Sequence, residues 1–198
     1  MSENNGVYQL IIENLKMIEQ TNHILEEIQK NIFNHIDSYI YLWTQGKHWV
    51  CDGNFWSTKS QIFYPTHWDK ALSYFSFDLD DDIKNESISW LSYLNGTEHT
   101  KFGLFWYFSW GNKYKQQEWQ RELKKYYDNN RSLFEKNNVK LVYNCRNLFI
   151  PITQDISELI ENYPNGIDTV LEDPVNKALN CLNNILPVID QIYTKLTN

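Results

Sequence analysis

The longest regular pattern of apolar positions lies in the first quarter of the chain. Between residues 7 and 45, apolar side chains recur at spacings of three and four, which places them on one face of a helix. These positions are Tyr8, Ile11, Leu15, Ile18, Leu25, Ile28, Ile32, Ile36, Tyr39 and Trp43. Gly46 follows as a natural C-cap residue. The spacing predicts a helical segment over residues 7–45 behind a disordered tail of residues 1–6.

A single helix of this length would be longer than a compact domain is wide. At 1.5 Å per residue it would extend about 58 Å, whereas a domain of 198 residues is roughly 42 Å across. The stripe turns polar at residues 21–23, where we expect the helix to break or bend. The alternative is a helix that projects and packs against a partner. The chain is therefore predicted to be a monomer or a homodimer through the N-terminal helix.

After residue 46 the apolar period changes to two, which is the period of a β-strand. Strands are predicted around residues 48–51, 61–64 and 71–79. The most apolar run is residues 101–110, where Phe102, Leu104 and Trp106 alternate with Phe105 and Tyr107. A strand that is apolar on both faces belongs inside a sheet. Residues 95–96, an Asn-Gly pair shortly before this run, predict the tight turn of a hairpin.

The second half of the chain returns to helical spacing on either side of a strand pair. A basic helix is predicted over residues 113–136, the strand pair over 139–152 with a turn or bulge at 145–147, and C-terminal helices over 154–196. Asp173 followed by Pro174 predicts a helix start, and Pro187 predicts a kink.

The predicted fold class is α+β. One antiparallel or mixed sheet of about five strands, drawn from the strand-rich residues 47–110 and the strand pair, carries the long N-terminal helical segment, the middle helix and the C-terminal helices. The length fits a single domain over residues 1–198.

Composition and cysteine usage indicate a globular protein of the cytoplasm. The chain is 42% hydrophobic and 16% aromatic, which excludes a disordered chain. No apolar run is long enough to span a bilayer, and the first residues do not have the pattern of a signal peptide. Three widely spaced Cys indicate reduced thiols rather than a disulfide framework. We therefore predict a cytoplasmic protein with no membrane partner.

The net charge of −7 is divided unevenly along the sequence. Residues 101–146 carry a net +6, and the remainder carries −13. A nucleic-acid-binding helix is one interpretation, with Trp119 available for stacking; an outer face neutralised by Glu118 and Glu122 is the other. The candidate phosphate-binding residues are Lys113, Lys115, Arg121, Lys124 and Lys125.

No metal site or cofactor is predicted. The acidic run of residues 78–82 has the one, three, five spacing of a calcium loop, but Ile83 stands where that loop needs Gly and Ser89 where it needs Glu. The five His show no spacing typical of a zinc or iron site. The sequence also contains no Gly-rich phosphate loop and no nucleophile elbow.

One set of residues bears on nuclease chemistry. Asp69 is followed by Asp82 and, two residues further, by Lys84. With the order helix, strands, helix, strand, this set resembles the core of the PD-(D/E)XK nuclease superfamily, whose two acids hold Mg²⁺ while the Lys positions water. The resemblance implies a metal-dependent nuclease or a catalytically inactive relative that binds nucleic acid.

Trp and His are concentrated between residues 43 and 68. Trp56 and Trp68 stand in polar, loop-like stretches, where exposed Trp is typical of a protein interface. The candidate binding residues are Trp49, Trp56, His67 and Trp68, with Asp78 and Asp80 at an acidic rim. Such a surface favours a non-enzymatic protein-binding module of the kind found in bacterial or phage inhibitors, immunity proteins and accessory proteins. The nuclease relative, binding nucleic acid through the basic helix, is the alternative.

Overall fold

The computed structural model describes residues 3–55, 60–81, 100–110, 113–163 and 165–197. Within these ranges the strands form one antiparallel sheet with the order β1-β2-β3-β4-β6-β5. The strands are β1 (Trp49–Asn54), β2 (Ser60–Pro65), β3 (Ser73–Asp81), β4 (Thr100–Phe108), β5 (Lys140–Val142) and β6 (Asn147–Pro151). The predicted α+β class is confirmed, with six strands in place of about five.

The helices lie in the regions where the hydrophobic pattern predicts them, but the first begins at Glu3, within the predicted tail of residues 1–6. They are α1 (Glu3–Glu13), α2 (Leu15–Thr44), α3 (Gln116–Asn129), α4 (Arg131–Lys136), α5 (Ile156–Asn162) and α6 (Ile167–Thr197). Apolar side chains of α2, α3 and α6 join one buried core with the sheet. The predicted arrangement of N-terminal, middle and C-terminal helices on the sheet is therefore confirmed.

The N-terminal helical segment is interrupted at Asn14 rather than at residues 21–23. Asn14 has φ −109° and ψ 14°. Its N–H still donates to the carbonyl of Leu10 at 3.2 Å, and its carbonyl accepts from the N–H of Ile18 at 3.0 Å. Helical hydrogen bonding thus continues through a local distortion. Residues 21–23 cause no break because they are exposed, and polar side chains are tolerated there.

The C-terminal helix α6 is one element of 31 residues that contains Pro174 and Pro187. The prediction that a helix starts at Asp173 is therefore wrong. A proline removes one N–H donor from the helix, but the buried stripe continues through Pro174 from Leu171 to Val175. Packing of that stripe against the core outweighs the lost hydrogen bond.

Strand β4 lies between β3 and β6, inside the sheet as predicted. Its residues Leu104 and Trp106 share the helix-facing side with Phe75 and Phe77 of β3. On the second side, Phe105 is completely buried and its ring lies 4.6 Å from that of Phe149, centroid to centroid. The strand therefore buries one face fully and much of the other. The predicted turn at residues 95–96 lies outside the described residues.

Gly103 permits the close approach of β4 and β6. A Cβ on Gly103 would overlap the carbonyl oxygen of Ile150 and would lie 2.9 Å from Cα of Pro151. Because both contacts involve backbone atoms, no side-chain rotation could relieve them.

The turn between β5 and β6 is built from residues in the left-handed region. Tyr143, Asn144 and Cys145 have φ of 50°, 53° and 64°. This sharp reversal produces the change of parity that the sequence pattern predicted at residues 145–147.

Candidate interaction surface

The first candidate residue, Trp49, is packed against other aromatic rings. Its ring centroid lies 5.0 Å from that of Trp43 and 5.8 Å from those of Phe63 and Phe75. The side chain is half-buried and borders the hydrophobic core. Trp49 therefore contributes mainly to packing, with only part of its ring available at the surface.

Trp68 is buried, with 4% of its surface exposed, so the prediction of an exposed anchor at this position is wrong. Its ring stacks on Tyr193 of α6 with centroids 4.9 Å apart. The indole Nε1–H donates to Oδ1 of Asp190 at 2.6 Å. The polar neighbours of Trp68 in the sequence suggested an exposed side chain. They could not indicate burial, because the residue that accepts the indole hydrogen bond lies 122 residues away.

The neighbour of Trp68, His67, stays exposed. Its Nε2 lies 3.0 Å from the same Oδ1 atom of Asp190. The exposed His67 and the buried Trp68 therefore share one carboxylate oxygen as their partner. Trp56, the other predicted anchor, lies outside the described residues.

The predicted acidic rim does not surround these aromatic residues. Asp78 has the opposite parity to Phe75 and Phe77 on β3, so it lies on the second side of the sheet, away from Trp49 and Trp68. There its Oδ2 accepts a hydrogen bond from the Tyr107 hydroxyl at 3.1 Å. Burial, together with the charge of Asp78, raises the pKa of Tyr107. For Asp80 only the backbone is described, in a ladder pair with Lys101.

Of the nuclease-like set, only Asp69 lies within the described residues. Asp69 is exposed, and its Oδ1 accepts from the N–H of Ala71 at 2.9 Å, as in an Asx turn. Its own N–H donates to the Tyr193 hydroxyl at 2.9 Å. Asp82 and Lys84 lie outside the described residues, so their convergence with Asp69 stays a prediction. Among the described residues, no three His, Cys, Asp or Glu are grouped as metal ligands.

The basic helix forms local ion pairs with acids on the same element. On α3, Nζ of Lys124 lies 2.8 Å from Asp128, and Nζ of Lys125 lies 4.0 Å from Glu122. Hydrogen bonds from Lys124 and Arg131 lower the pKa of Asp128. This arrangement is the neutralised outer face of a helix, one of the two interpretations that the sequence allows.

The other basic candidates have separate positions. Arg121 is exposed on α3. Lys113 donates from Nζ to the carbonyl of Leu196 at 2.6 Å, near the end of α6, where a cation is favourable to the helix dipole. Lys115 directly precedes α3, and its N–H donates to Oε2 of Glu118 at 2.9 Å. A continuous phosphate-binding face would require the side chains of all these basic residues to point outward from one surface of the protein.

Among the described residues, cavities border the helices at two places that the sequence pattern did not indicate. One, of about 550 Å³, lies between the end of β6, α5 and α6, with Gln154, Glu158, Asp173 and Lys177 in its wall. Acids and a single base make this wall polar.

The second cavity, of about 430 Å³, lies beside α2 and the β1–β2 pair. Its wall includes the buried Asp37, which accepts from the N–H of Phe55 at 2.8 Å. Gln61 is also buried there and donates from Nε2 to the Asp37 carbonyl at 2.8 Å. These bonds join α2 to the edge of the sheet, which is a structural role.

The largest set of exposed apolar side chains lies at the N-terminus. We call residues 7–28 the projecting segment, because Ile28 is the first side chain of the chain that packs against the core among the described residues. Tyr8, Ile11 and Leu15 are 58, 43 and 50% exposed. We call the apolar stripe of this segment the seam, which consists of Tyr8, Ile11, Leu15, Ile18 and Leu25.

The seam and the buried face of α2 are the same side of the helix. At about 100° per residue, the seam positions point in the same mean direction as Ile32, Ile36 and Ile40, which are fully buried in the core. The sequence thus predicted a single stripe correctly. It did not indicate that the core covers only the later half of that stripe. The one feature of the sequence that pointed to this was a predicted helix longer than the width of a compact domain.

No helix among the described residues is both long and apolar enough to cross a membrane. No protein-family model, curated protein or solved structure matches the chain.

Proposed function

We propose that this chain is a protein-binding module and that the projecting segment is its binding element. The observation that supports this proposal is that Tyr8, Ile11 and Leu15 are exposed on a helix that leaves the core. The other two seam residues, Ile18 and Leu25, are half-buried. Exposed contiguous apolar surface is typical of an interaction site. When a partner covers such a surface, its removal from water contributes a favourable free energy of about 25 cal/mol per Å².

The spacing of the seam suits a partner that accepts a helix. Binding of an amphipathic helix uses anchors at positions i, i+3, i+4 and i+7, and Tyr8, Ile11 and Leu15 have this spacing. The charges disfavour an anionic membrane surface as the alternative, because residues 7–30 carry four Glu and only two Lys.

The binding surface that we propose differs from the aromatic surface expected from the sequence. Trp68 is buried and Asp78 lies on the other side of the sheet, so these two residues do not form one surface. The finer assignment remains part of the proposal: a cytoplasmic protein of bacterial or phage type that acts as an inhibitor, immunity protein or accessory protein by occupying a partner's surface.

Affinity capture of the tagged chain from its native lysate, with and without nuclease treatment, tests this function. The informative variant is Leu15→Glu with Ile18→Glu, which places two charges in the centre of the seam. The matched control is Met17→Glu with Ile24→Glu. These exposed residues receive the same chemical change on the same helix, but they lie roughly 140° away from the seam.

We expect protein partners that survive nuclease treatment, are lost with the seam variant and are retained with the control. Partners that bind the seam variant and the wild type equally would disprove the proposed role of the segment. Recovery of nucleic acid in place of protein would favour the basic helix and the set of Asp69, Asp82 and Lys84.

A further inference from the structure

The seam has the spacing of a helix-pairing interface. Its residues alternate between spacings of four and three at 11, 15 and 18, and the next apolar position of the same pattern is Leu25. Asn22 is the one polar residue in this register. An alternation of three and four over about two and a half heptads is the pattern of helices that pair side by side along their length.

The position of the core excludes a parallel pair. Because the seam and the core-packing face are the same side of the helix, the sheet and α6 begin to cover that side at Ile28. A second helix that lay parallel along the seam would run into this covered region within a few residues of Leu25. In an antiparallel pair, the N-terminus of the second helix lies where the core of the first copy begins. The core of the second copy then lies beyond the opposite end of the seam.

The seam is self-complementary in the antiparallel direction. We place the two-fold axis between Leu15 and Ile18. Each seam residue then faces the residue of the second copy whose number adds to its own to give 33. Tyr8 then meets Leu25 of the second copy, and Leu15 meets Ile18 of the second copy. The flanking Val7 lies beside Ile28 of the second copy. The same register sets Asn22 against Ile11 of the second copy, which is the least favourable layer.

The charges and the area are also compatible with this pairing. In this register Glu19 lies nearest to Ile12 of the second copy rather than to another Glu, so no close pair of like charges forms. The apolar side chains of two copies would bury on the order of 1,000 Å² in total, which is about the minimum for a specific interface.

We propose that the occupant of the seam is a second copy of this chain, bound antiparallel through the projecting segments. This inference rests on the proposed function, since it names the partner of the same surface. It also explains how a helix with exposed Tyr8, Ile11 and Leu15 can persist in water, because each copy shields the other.

The oligomeric state of the full chain tests the proposal. Sedimentation equilibrium of the wild type is expected to give a dimer at roughly 100 μM. The variant Leu15→Glu with Ile18→Glu is expected to dissociate at least about 100-fold more readily, because it buries four unpaired carboxylates per dimer. Met17→Glu with Ile24→Glu should dimerise like the wild type.

Cross-linking tests the direction. Copies with Ile11→Cys and copies with Asn22→Cys, tagged to different sizes, are mixed and oxidised. The antiparallel register predicts a disulfide between one copy of each kind and little between identical copies. A parallel pair would give the reverse. The unsubstituted chain, with its three native Cys, shows the background.

The outcomes separate this inference from the proposed function. A wild type that stays monomeric at this concentration, a dimer insensitive to the seam variant, or cross-links only between identical copies would each overturn the antiparallel pair. If the wild type is monomeric but the seam variant still loses captured proteins, the segment binds a different protein, and the proposed function stands.

Discussion

At the scale of single residues, Gly103 shows how a backbone contact can determine which residue a position accepts. It lies opposite Pro151 in the β4–β6 ladder, and a Cβ would overlap the Ile150 carbonyl oxygen. We expect Gly103→Ala to lower the free energy of unfolding by about 3 kcal/mol or more, because two paired strands would have to separate. Urea unfolding followed by Trp fluorescence measures this loss.

Gly6→Ala is the matched control for Gly103→Ala. Gly6 lies on α1, and apart from its own chain neighbours and helix backbone no atom lies within 4 Å of the point that a Cβ would occupy, so the same change meets no obstacle. It should alter the unfolding of the core by less than about 0.5 kcal/mol. Equal and small effects of the two substitutions would show that β4 and β6 can move apart at no cost.

The thiol of Cys51 yields a prediction about reactivity and pH. Burial, with the nearby charge of Asp37 as the second cause, raises the pKa of Cys51 to about 11, although a hydrogen bond with Thr44 opposes the shift. Because only the thiolate reacts, alkylation at Cys51 should be slow at pH 8 and should keep accelerating up to about pH 11.

Mass spectrometry of each Cys-containing peptide after timed alkylation measures this profile. The raised pKa also makes stability depend on pH. The native state keeps the Cys51 proton at a pH where the unfolded thiol has already lost it. Cys51 therefore lowers the free energy of unfolding as the pH rises from about 9 towards about 11. A rate that levels off near pH 9 would contradict the burial of this thiol.

At the scale of elements, α6 shows what a proline costs inside a packed helix. Pro187 is exposed and cannot donate the helical hydrogen bond to the carbonyl four residues earlier, on Asn183. Pro187→Ala restores that donor without removing a buried contact. We expect the free energy of unfolding to rise by about 1–2 kcal/mol.

Thermal unfolding followed by circular dichroism measures this gain. Pro187→Gly, which restores the same N–H but has poor helix propensity, should recover less of it. A Pro187→Ala variant no more stable than the wild type would mean that the Asn183 carbonyl is already satisfied in another way.

The elements were predictable from the sequence to the extent that local periodicity determines them. The strand of residues 101–110 and the α2 stripe follow from periods of two and of three to four, and both are confirmed. The start of α6 was missed because proline rules are local, whereas the buried stripe from Leu171 to Val175 is a tertiary effect.

The candidate site was less predictable than the fold. Trp68 was expected at the surface because its neighbours His67 and Asp69 are polar, yet Asp190 and Tyr193 of α6 enclose it. Periodicity shows that a side chain belongs to a face. It does not show which distant element covers that face, and the same limit hid the exposure of the seam.

At the scale of the whole molecule, the projecting segment and the core should unfold separately. All eight Trp lie between residues 43 and 119, so Trp fluorescence does not report on the projecting segment. The projecting segment holds about a fifth of the described helical residues, so circular dichroism reports on the segment and the core together. An isolated helix of this length is marginal in water.

We therefore expect heating of a dilute sample to remove about a fifth of the helical signal before the Trp fluorescence changes. Pairing stabilises the segment by mass action, so this first transition should move to higher temperature as the protein concentration rises. The fluorescence transition should stay fixed. One coincident transition, independent of concentration, would show that the segment is held by the core itself.

The shared direction of the seam and the core-packing face makes α2 sensitive to phase. One residue inserted after Glu26 would preserve both apolar surfaces but turn the seam by about 100° relative to the core. The antiparallel second copy would then be carried around the helix axis to a different side of the sheet. An insertion of four residues, about 400°, would nearly restore the original azimuth. Helix length between Leu25 and Ile32 thus sets where the second copy lies, independently of how tightly it binds.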